Sequence, residues 1–380
     1  MFIELHMIQN FSPANLNRDD TGNPKDCTFG GYRRARVSSQ ALKRAIRHED
    51  IFSKITEAQK GERSKWMSRP IKDKLMEAGK TEEDAIAVAV AFVSDYVAKS
   101  DKKNPERSNV LVYFTQEEVN GAVHALLENW DDAIKAASAK TPKSLKNVVS
   151  ALEKATKLRT SAPDIALFGR MLAEHPSLNI DAACQVAHAI STHSIKMEMD
   201  FYTAVDELQE ASDDEGAGAG MMGFTNFNSA CFYRYARIDW DLLVKNLGND
   251  KALARRTVEG FMRAALDAIP TGKQNAFAAQ NPTNLAIALV REDGQSWNLA
   301  NAFEEPVHPK GGAGLIRSSI EALDTYWGDI KERRDDAEFK AISVYTDSAK
   351  SEEALNTLAE YSNPKLSAWI EAINEVLPKE

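Results

Sequence analysis

The chain has 380 residues, 43% hydrophobic and 27% charged, with a formal net charge of −9. That length buries a sizeable core, as one large domain or two to three smaller ones, and the composition excludes a disordered or fibrous protein. No apolar run approaches the ~18 residues of a membrane span, and residues 1–7 lack the charged start and long apolar stretch of a signal peptide, so a cytoplasmic location without membrane contact is expected.

Residues 2–9 are apolar and β-compatible and predict a first strand. A long loop rich in Asn, Asp, Gly and Pro is expected from Phe11 to Val37. Ser38 or Ser39 then caps a helix running to about Glu49. In that helix Gln40, Lys43, Arg44 and Arg47 recur at i, i+3, i+4 and i+7 and share one face, with Leu42, Ala45 and Ile46 on the other side. Residues 53–160 read as a mostly helical insertion, with few β-branched clusters outside Val110–Phe114. Asp164–Phe168 is a candidate strand closed by Gly169, 180–193 a helix, and Ser212–Gly220 a tip with too few side chains to pack. Phe227–Asp239 reads as a long strand, followed by helices near 240–247 and 251–268 and a strand at 284–291. The C-terminal part mixes helices near 313–333 and 352–376 with a short strand around 340–346. This order predicts an α+β sandwich and allows a ferredoxin-like sheet, the layout of RNA-recognition domains.

The charge is unevenly spread. Residues 1–47 hold eight Lys/Arg against four Asp/Glu, and between Gly30 and Arg47 there are six basic residues and no acidic one. Such an island on an acidic chain fits either a polyanion site or a solvated basic face. Within it, Gly30-Gly31 allows a backbone to approach a ligand closely, arginines grip phosphate bidentately, and a serine-initiated helix offers N–H groups at its positive end. Arg33 and Arg34 are adjacent, so in an extended chain they point opposite ways, and part of the Arg33, Arg34 and Arg36 set is expected in salt bridges. A P-loop is excluded, because Gly-Lys-Ser/Thr is missing.

The wording of several segments resembles the backbone subunit of Cascade, the type I-E CRISPR RNA-guided surveillance complex. These are Leu16-Asn17-Arg18-Asp19-Asp20, Phe29-Gly30-Gly31, Arg33-Arg34, Ser38-Ser39-Gln40 and Leu42-Lys43-Arg44-Ala45. Further blocks are Asp164–Leu167 with Gly169-Arg170-Met171, Ala187–Ile190, Thr203–Asp206, Phe232–Ala236, Lys273-Gln274, Asn281-Pro282 and Asn301–Glu304. The resemblance implies a modified ferredoxin-like or RNA-recognition-motif palm (1–50 and 161–380), helical fingers (51–160) and a protruding thumb loop at about 194–226. It further implies several copies lined head-to-tail on a CRISPR guide RNA, beside other Cascade subunits, with target DNA pairing through the guide. Carried over residue by residue, the RNA contacts are Arg18, Lys25, Ser38, Gln40, Lys43, Arg47, Lys273 and Gln274. Met171 and Tyr202 would pack on a nucleotide displaced by the thumb. A carrier of any guide sequence grips sugar and phosphate rather than base edges, and a Met and an aromatic suit a base of any identity. No cofactor or metal is implied.

Competing readings remain at this stage. Asp19, Asp20 and Asp26 could serve a metal-dependent endoribonuclease, against salt-bridge and capping roles. His188 and His193 are five apart rather than four, against a zinc helix motif. Cys27, Cys184 and Cys231 are too few and scattered for a disulfide frame. Phe227, Phe232, Tyr233, Tyr235 and Trp240 read mostly as core, since the aromatic signature of standard RNA-recognition domains is absent. A plain protein scaffold that binds no RNA is the third reading.

Overall fold

The computed structural model describes residues 1–97, 99–138, 145, 148–150, 159–172, 176–204, 221–309, 311–334 and 338–379. Its strands are β1 (Phe2–Ala14), β2 (Asp26–Phe29), β3 (Tyr32–Val37), β4 (Glu62–Ser64), β5 (Val112–Phe114) and β6 (Cys184–Val186). They continue with β7 (Ala189–Ser191), β8 (Glu198–Ala204), β9 (Met221–Asp239), β10 (Leu285–Arg291) and β11 (Ala341–Thr346). Chain contacts divide into two units, one of 1–49, 186–237 and 261–377, the other of 50–185, 238–260 and 378–380. The second unit thus takes in 161–185 and 238–260 besides the expected helical insertion.

The first unit carries a large sheet in the order β11-β10-β1-β9-β7-β3-β2. The register pairs Leu5 with Ala288 and Ala288 with Ser343, antiparallel in both cases. β10 is buried at every position, as its unbroken apolar run requires. Ile8, Leu285, Ile287, Leu289, Trp327 and Val344 form one core on this sheet. Phe11, Val37, Leu42, Phe232 and Ala279 form another.

One buried polar group crosses the sheet. Glu4 and Arg291 are an ion pair at 3.2 Å with almost no exposure. Glu4 Oε2 accepts from Tyr235 Oη at 2.8 Å and from the Trp297 N–H at 2.9 Å. Burial raises the Glu4 carboxyl above its ordinary value. The Arg291 guanidinium lies over the rings of Trp297 and Phe339 at 4.3 and 4.4 Å. Beside them His6 Nδ1 meets Tyr233 Oη at 2.8 Å, and full burial pushes the imidazole down to about 3.

Several sequence expectations are corrected here. The expected loop from Phe11 to Val37 contains the end of β1 and the β2–β3 hairpin, in which Phe29 faces Tyr32 across a two-residue turn. Gly30 and Gly31 hold φ of +58° and +80°, the type I′ signature. Gly30 lies against the carbonyl of Glu304, so the approach its missing side chain permits is to the chain itself rather than to a ligand. Asp164–Phe168 is a helix turn, not a strand, with Pro163 as its first residue and Gly169 past its end at φ +75°. Residues 184–191 form β6 and β7 rather than a helix. Residues 352–376 hold a short 3-10 turn and the helix Leu366–Val376.

The second unit is mostly helical, with Ser68–Glu77, Glu82–Tyr96, Gln116–Glu128 and Trp130–Ala137 around a core of Ile71, Leu75, Val88, Phe92 and Val119. Thr115 and Glu118 make a capping box, and Glu118 also pairs with buried Arg170 at 2.6 Å. Asp164 accepts from the Gly61 N–H at 2.8 Å and from Tyr113 Oη at 2.5 Å.

Two stability predictions follow from this architecture. Gly30→Ala adds a collision to a left-handed backbone and is expected to cost about 3 kcal/mol, whereas Gly31→Ala meets open space and is expected to cost about 1 kcal/mol; denaturant unfolding of the pair measures this. His6 is neutral when folded but takes up a proton near pH 6.5 when unfolded, so stability present above that pH is lost as pH falls toward 3. The expected loss is about 1.4 kcal/mol per pH unit, and this component of the acid slope is expected to be absent in His6→Gln.

Candidate nucleic-acid interface

The N-terminal segment is built around Asn17. Its carbonyl accepts from the Lys25 N–H and its Oδ1 from the Ser38 N–H, both at 2.8 Å. Arg36 N in turn donates to the Lys25 carbonyl at 2.9 Å. These bonds hold the Arg18–Pro24 loop, Lys25 and the start of the helix Ser39–His48 together. Ser38 is the N-cap, as expected, and its Oγ accepts from Ala41 N at 3.3 Å. The Ser39 N–H donates to His188 Nδ1 at 3.2 Å, so two of the helix's leading N–H groups are already bonded. His188 is held below its usual value by desolvation first and then by Arg36 and Lys25. This role, as acceptor at a helix start, carries no signal in spacing alone.

A cleft of about 420 Å³ opens beside this segment, lined by Lys25, Arg33, Arg36, Asp19, Asp26 and Asn226. Arg33 is 56% exposed and pairs with Asp26, which also offers its carbonyl to Arg36 Nε at 3.1 Å. Arg34, its neighbour, is fully buried. Its guanidinium donates to the carbonyls of Ser191 at 3.1 Å, Phe303 at 2.7 Å and Glu304 at 3.0 Å. The two arginines therefore point opposite ways, one toward the cleft and one into the core.

The expected cationic stripe on the following helix is broken. Gln40 and Arg44 are exposed and Lys43 half-buried, but Arg47 is only 6% exposed and belongs to the packed side. Ser38 is buried and its hydroxyl is used by the cap. Lys25 is the expected contact that lines the cleft, where Arg33 and Arg36 join it. Lys273 takes a left-handed φ of +50° at the start of the turn Gln274–Phe277, and the preceding Gly272 rests on the carbonyls of Asn15 and Leu16. Gln274 is engaged locally, with Nε2 donating to the Pro270 carbonyl at 3.1 Å.

Tyr202 lies on β8, which pairs with β9 as an exposed ribbon in the register Tyr202–Gly223 and Phe201–Phe224. Met199, Phe201, Met222 and Phe224 share one face and are all more than half exposed. Tyr202 sits on the other face, its ring over Gly223. The expected tip at 212–220, with Val205 and Asp206, lies outside the described residues. Met171 is 83% exposed, in the loop after the anchored Arg170.

The loop carboxylates are occupied. Asp19 Oδ1 accepts from Thr21 Oγ1, Thr21 N and Asn23 N at 2.8–2.9 Å, and those bonds, the Thr21 hydroxyl first, lower its pKa. Among the described residues no group of three His, Cys, Asp or Glu side chains is placed to hold a metal ion. No helix among them is long and apolar enough to cross a membrane.

The family model of the CT1975-like proteins matches residues 3–372. The chain belongs to the CT1975-like protein family. Among solved structures, a chain of a "CRISPR RNA-guided surveillance complex, pre-nicking" is 32% identical over 100% of both chains, with a TM-score of 0.86. A chain of a "CRISPR RNA-guided surveillance complex" is 27% identical over 99% of both, with a TM-score of 0.75. A search of curated protein sequences finds no match. The matches bear out the resemblance to a Cascade backbone subunit and the α+β class of the CT1975-like chain.

The two adjacent arginines give a direct check on this geometry. Arg34→Ala strips the buried carbonyls of Ser191 and Phe303, and the part-buried one of Glu304, of this donor and is expected to cost about 3 kcal/mol or more. Arg33→Ala removes an exposed pair and is expected to cost under about 1 kcal/mol. Denaturant midpoints of the two variants are the measurement.

Proposed function

We propose that the chain is a non-catalytic subunit of a cytoplasmic CRISPR RNA-guided surveillance complex that holds the guide by its sugar–phosphate backbone. The observation that carries this reading is the cleft that gathers Lys25, Arg33 and Arg36 on a chain of net charge −9. Cations of this kind at a surface cleft suit consecutive phosphates and read no base. Asp26 and Asp19 fit as positioning groups, the one orienting Arg33 and the other shaping the turn.

Several copies line up head-to-tail on the guide in this proposal, with the sheet unit as palm, the helical unit as fingers and the β8–β9 ribbon as thumb. The exposed apolar face of that ribbon supports it, because Met199, Phe201, Met222 and Phe224 call for a covering partner. Tyr202 on the opposite face, and Met171 of a neighbouring copy, then pack on a displaced nucleotide of any identity. Other subunits cap the array, and target DNA pairs with the guide between displaced nucleotides. Lys273 and Arg18, with Gln40 and Lys43, extend the backbone grip from the loop and helix surfaces.

Lys25→Ala with Arg36→Ala is expected to weaken binding of single-stranded RNA at least tenfold and to flatten log K against log salt by about 1.4, read by filter binding at several salt concentrations. An unaltered salt slope would sink the cleft as the grip. Phe201→Ser with Phe224→Ser is expected to leave single-copy RNA binding intact while shortening the assemblies seen on a native gel. Cleavage of bound RNA by the wild-type protein in Mg²⁺, lost in Asp26→Ala, would replace this reading with a nuclease.

A further inference from the structure

One face of the helix Leu315–Arg333 forms the wall of a groove in the sheet unit. Ser318, Glu321, Ala322, Thr325, Tyr326 and Asp329 recur at i, i+3, i+4, i+7, i+8 and i+11 and so share that face. The opposite wall is the 3-10 turn Leu299–Phe303 with the two residues after it, which supply Asn301, Ala302, Glu304 and Glu305. The groove holds about 690 Å³, the size of a small-molecule site. From Ser318 to Asp329 the helix rises about 16 Å, so the groove is long for its volume. Its charge is one-sided: Glu304, Glu305, Glu321 and Asp329 line it, and among the described residues no Lys, Arg or His does. The helix's own cations leave most of that charge unanswered. Arg317 takes up Glu321 at 2.9 Å and reaches Glu353 at 3.9 Å. Lys331 Nζ is turned to Tyr361 Oη at 2.7 Å and to Glu360 at 3.6 Å. Among the described residues Glu304, Glu305 and Asp329 have no ion-pair partner.

An uncharged group marks the groove as more than a negative patch. Ser318 is 5% exposed and lines it, and its Oγ has no hydrogen-bond partner among the described residues. Buried hydroxyls in folded chains are paired almost without exception, so this one is set to meet a donor that arrives from outside. Carboxylates and a free hydroxyl oxygen together suit a ligand rich in N–H and without acceptors, as an alkylammonium is. The negative groups are strung along the groove rather than gathered. Among the described residues no three His, Cys, Asp or Glu side chains could hold one metal ion, which calcium or magnesium would require. Ala302, Ala322 and Tyr326, each partly buried on the core, place apolar surface between the charges. Methylene stems lie along such surface while their charged ends stay with polar groups.

We propose that this groove binds a linear aliphatic polyamine, its ammonium groups on the carboxylates and Ser318 Oγ and its methylene spacers on Ala302, Ala322 and Tyr326. Amines separated by short methylene runs spread their charge over the length of the groove, as neither a metal ion nor a single ammonium does. None of these side chains lines the cleft of Lys25, Arg33 and Arg36 or belongs to the β8–β9 ribbon, so the site stands whether or not the guide-binding reading holds.

The test is isothermal titration calorimetry of spermine into the full-length chain, freed of nucleic acid by nuclease and ion exchange because RNA itself collects polyamines. Saturable binding at a single site is expected. Glu305→Gln with Asp329→Asn is expected to weaken it about tenfold or more, while Glu305→Asp with Asp329→Glu keeps most of the affinity, which excludes misfolding as the cause. Ser318→Ala changes no charge and is expected to weaken binding roughly threefold; a diffuse negative patch would not register that change. Magnesium ion at equal ionic strength is expected to leave spermine in place. Unaltered affinity in the Gln/Asn pair or in Ser318→Ala would overturn the proposal. So would displacement by magnesium, which would make the groove a counter-ion patch, or tighter binding of an arginine-rich peptide of matched charge, which would assign it to a basic segment of another protein.

Discussion

The guanidinium of Arg34 is the constraint on which the N-terminal face of the sheet unit depends. It is buried completely, and one side chain bonds the carbonyls of Ser191, Phe303 and Glu304. Those carbonyls belong to the end of β7 and to the 3-10 turn Leu299–Phe303 and the residue after it, segments far apart in sequence. By bonding them together Arg34 fixes the β2–β3 hairpin in place, and with it the positions of Arg33 and Arg36 on either side. Planarity and a fixed fork of donors make arginine suited to this, because its nitrogens reach carbonyls in different directions from one rigid group. A residue that looks from sequence like one more phosphate ligand is therefore the reason that its neighbours can act as ligands at all.

The cations of the chain fall into distinct physical groups. Arg34, Arg170, Arg234 and Arg291 are internal, each desolvated and matched by carbonyls, side-chain oxygens or aromatic faces. Arg234, for example, bonds Gln9 and the Ala265 carbonyl across the sheet. Removing any one leaves buried acceptors or a buried carboxylate without a partner. Lys25, Arg33 and Arg36 stand at a solvent-filled cleft, where screening is greater and exchange with an anionic ligand costs little. Counting basic residues cannot separate these groups, because net charge contains no information on burial.

Much of the fold was legible where one periodicity dominated. β10 and β11, the helix Leu315–Arg333 and the Ser38-capped helix lie within a few residues of their expected bounds. Errors arose where turn chemistry outweighed apolar pattern. Pro163 and Gly169 carried the asymmetry of a helix start and stop, yet five apolar-rich residues between them read as a strand. Gly30-Gly31 between β-compatible runs was a hairpin signal that the surrounding Asn, Asp and Pro obscured. At the site, opposite orientations of Arg33 and Arg34 followed from strand geometry alone. The burial of Arg47 did not follow, because the i, i+4 rule says which residues share a face and not which tertiary surface covers it. His188 was visible as a residue but its acceptance from Ser39 depends on the distant pairing of β3 with β7.

The pairing of Gly223 with Tyr202 has a further bearing on the ribbon of β8 and β9. Side chains alternate along a strand, so sliding one strand by a single residue would exchange the residues of its two sides. Gly223 lies beneath the Tyr202 ring, so a slip of one residue, which sets Met222 or Phe224 opposite the tyrosine, makes its ring move aside and is disfavoured. The chemical distinctness of the two surfaces is thus kept by an absence of atoms at one place, and the ribbon can stand in solvent with little packed against it and still present the same side to every partner.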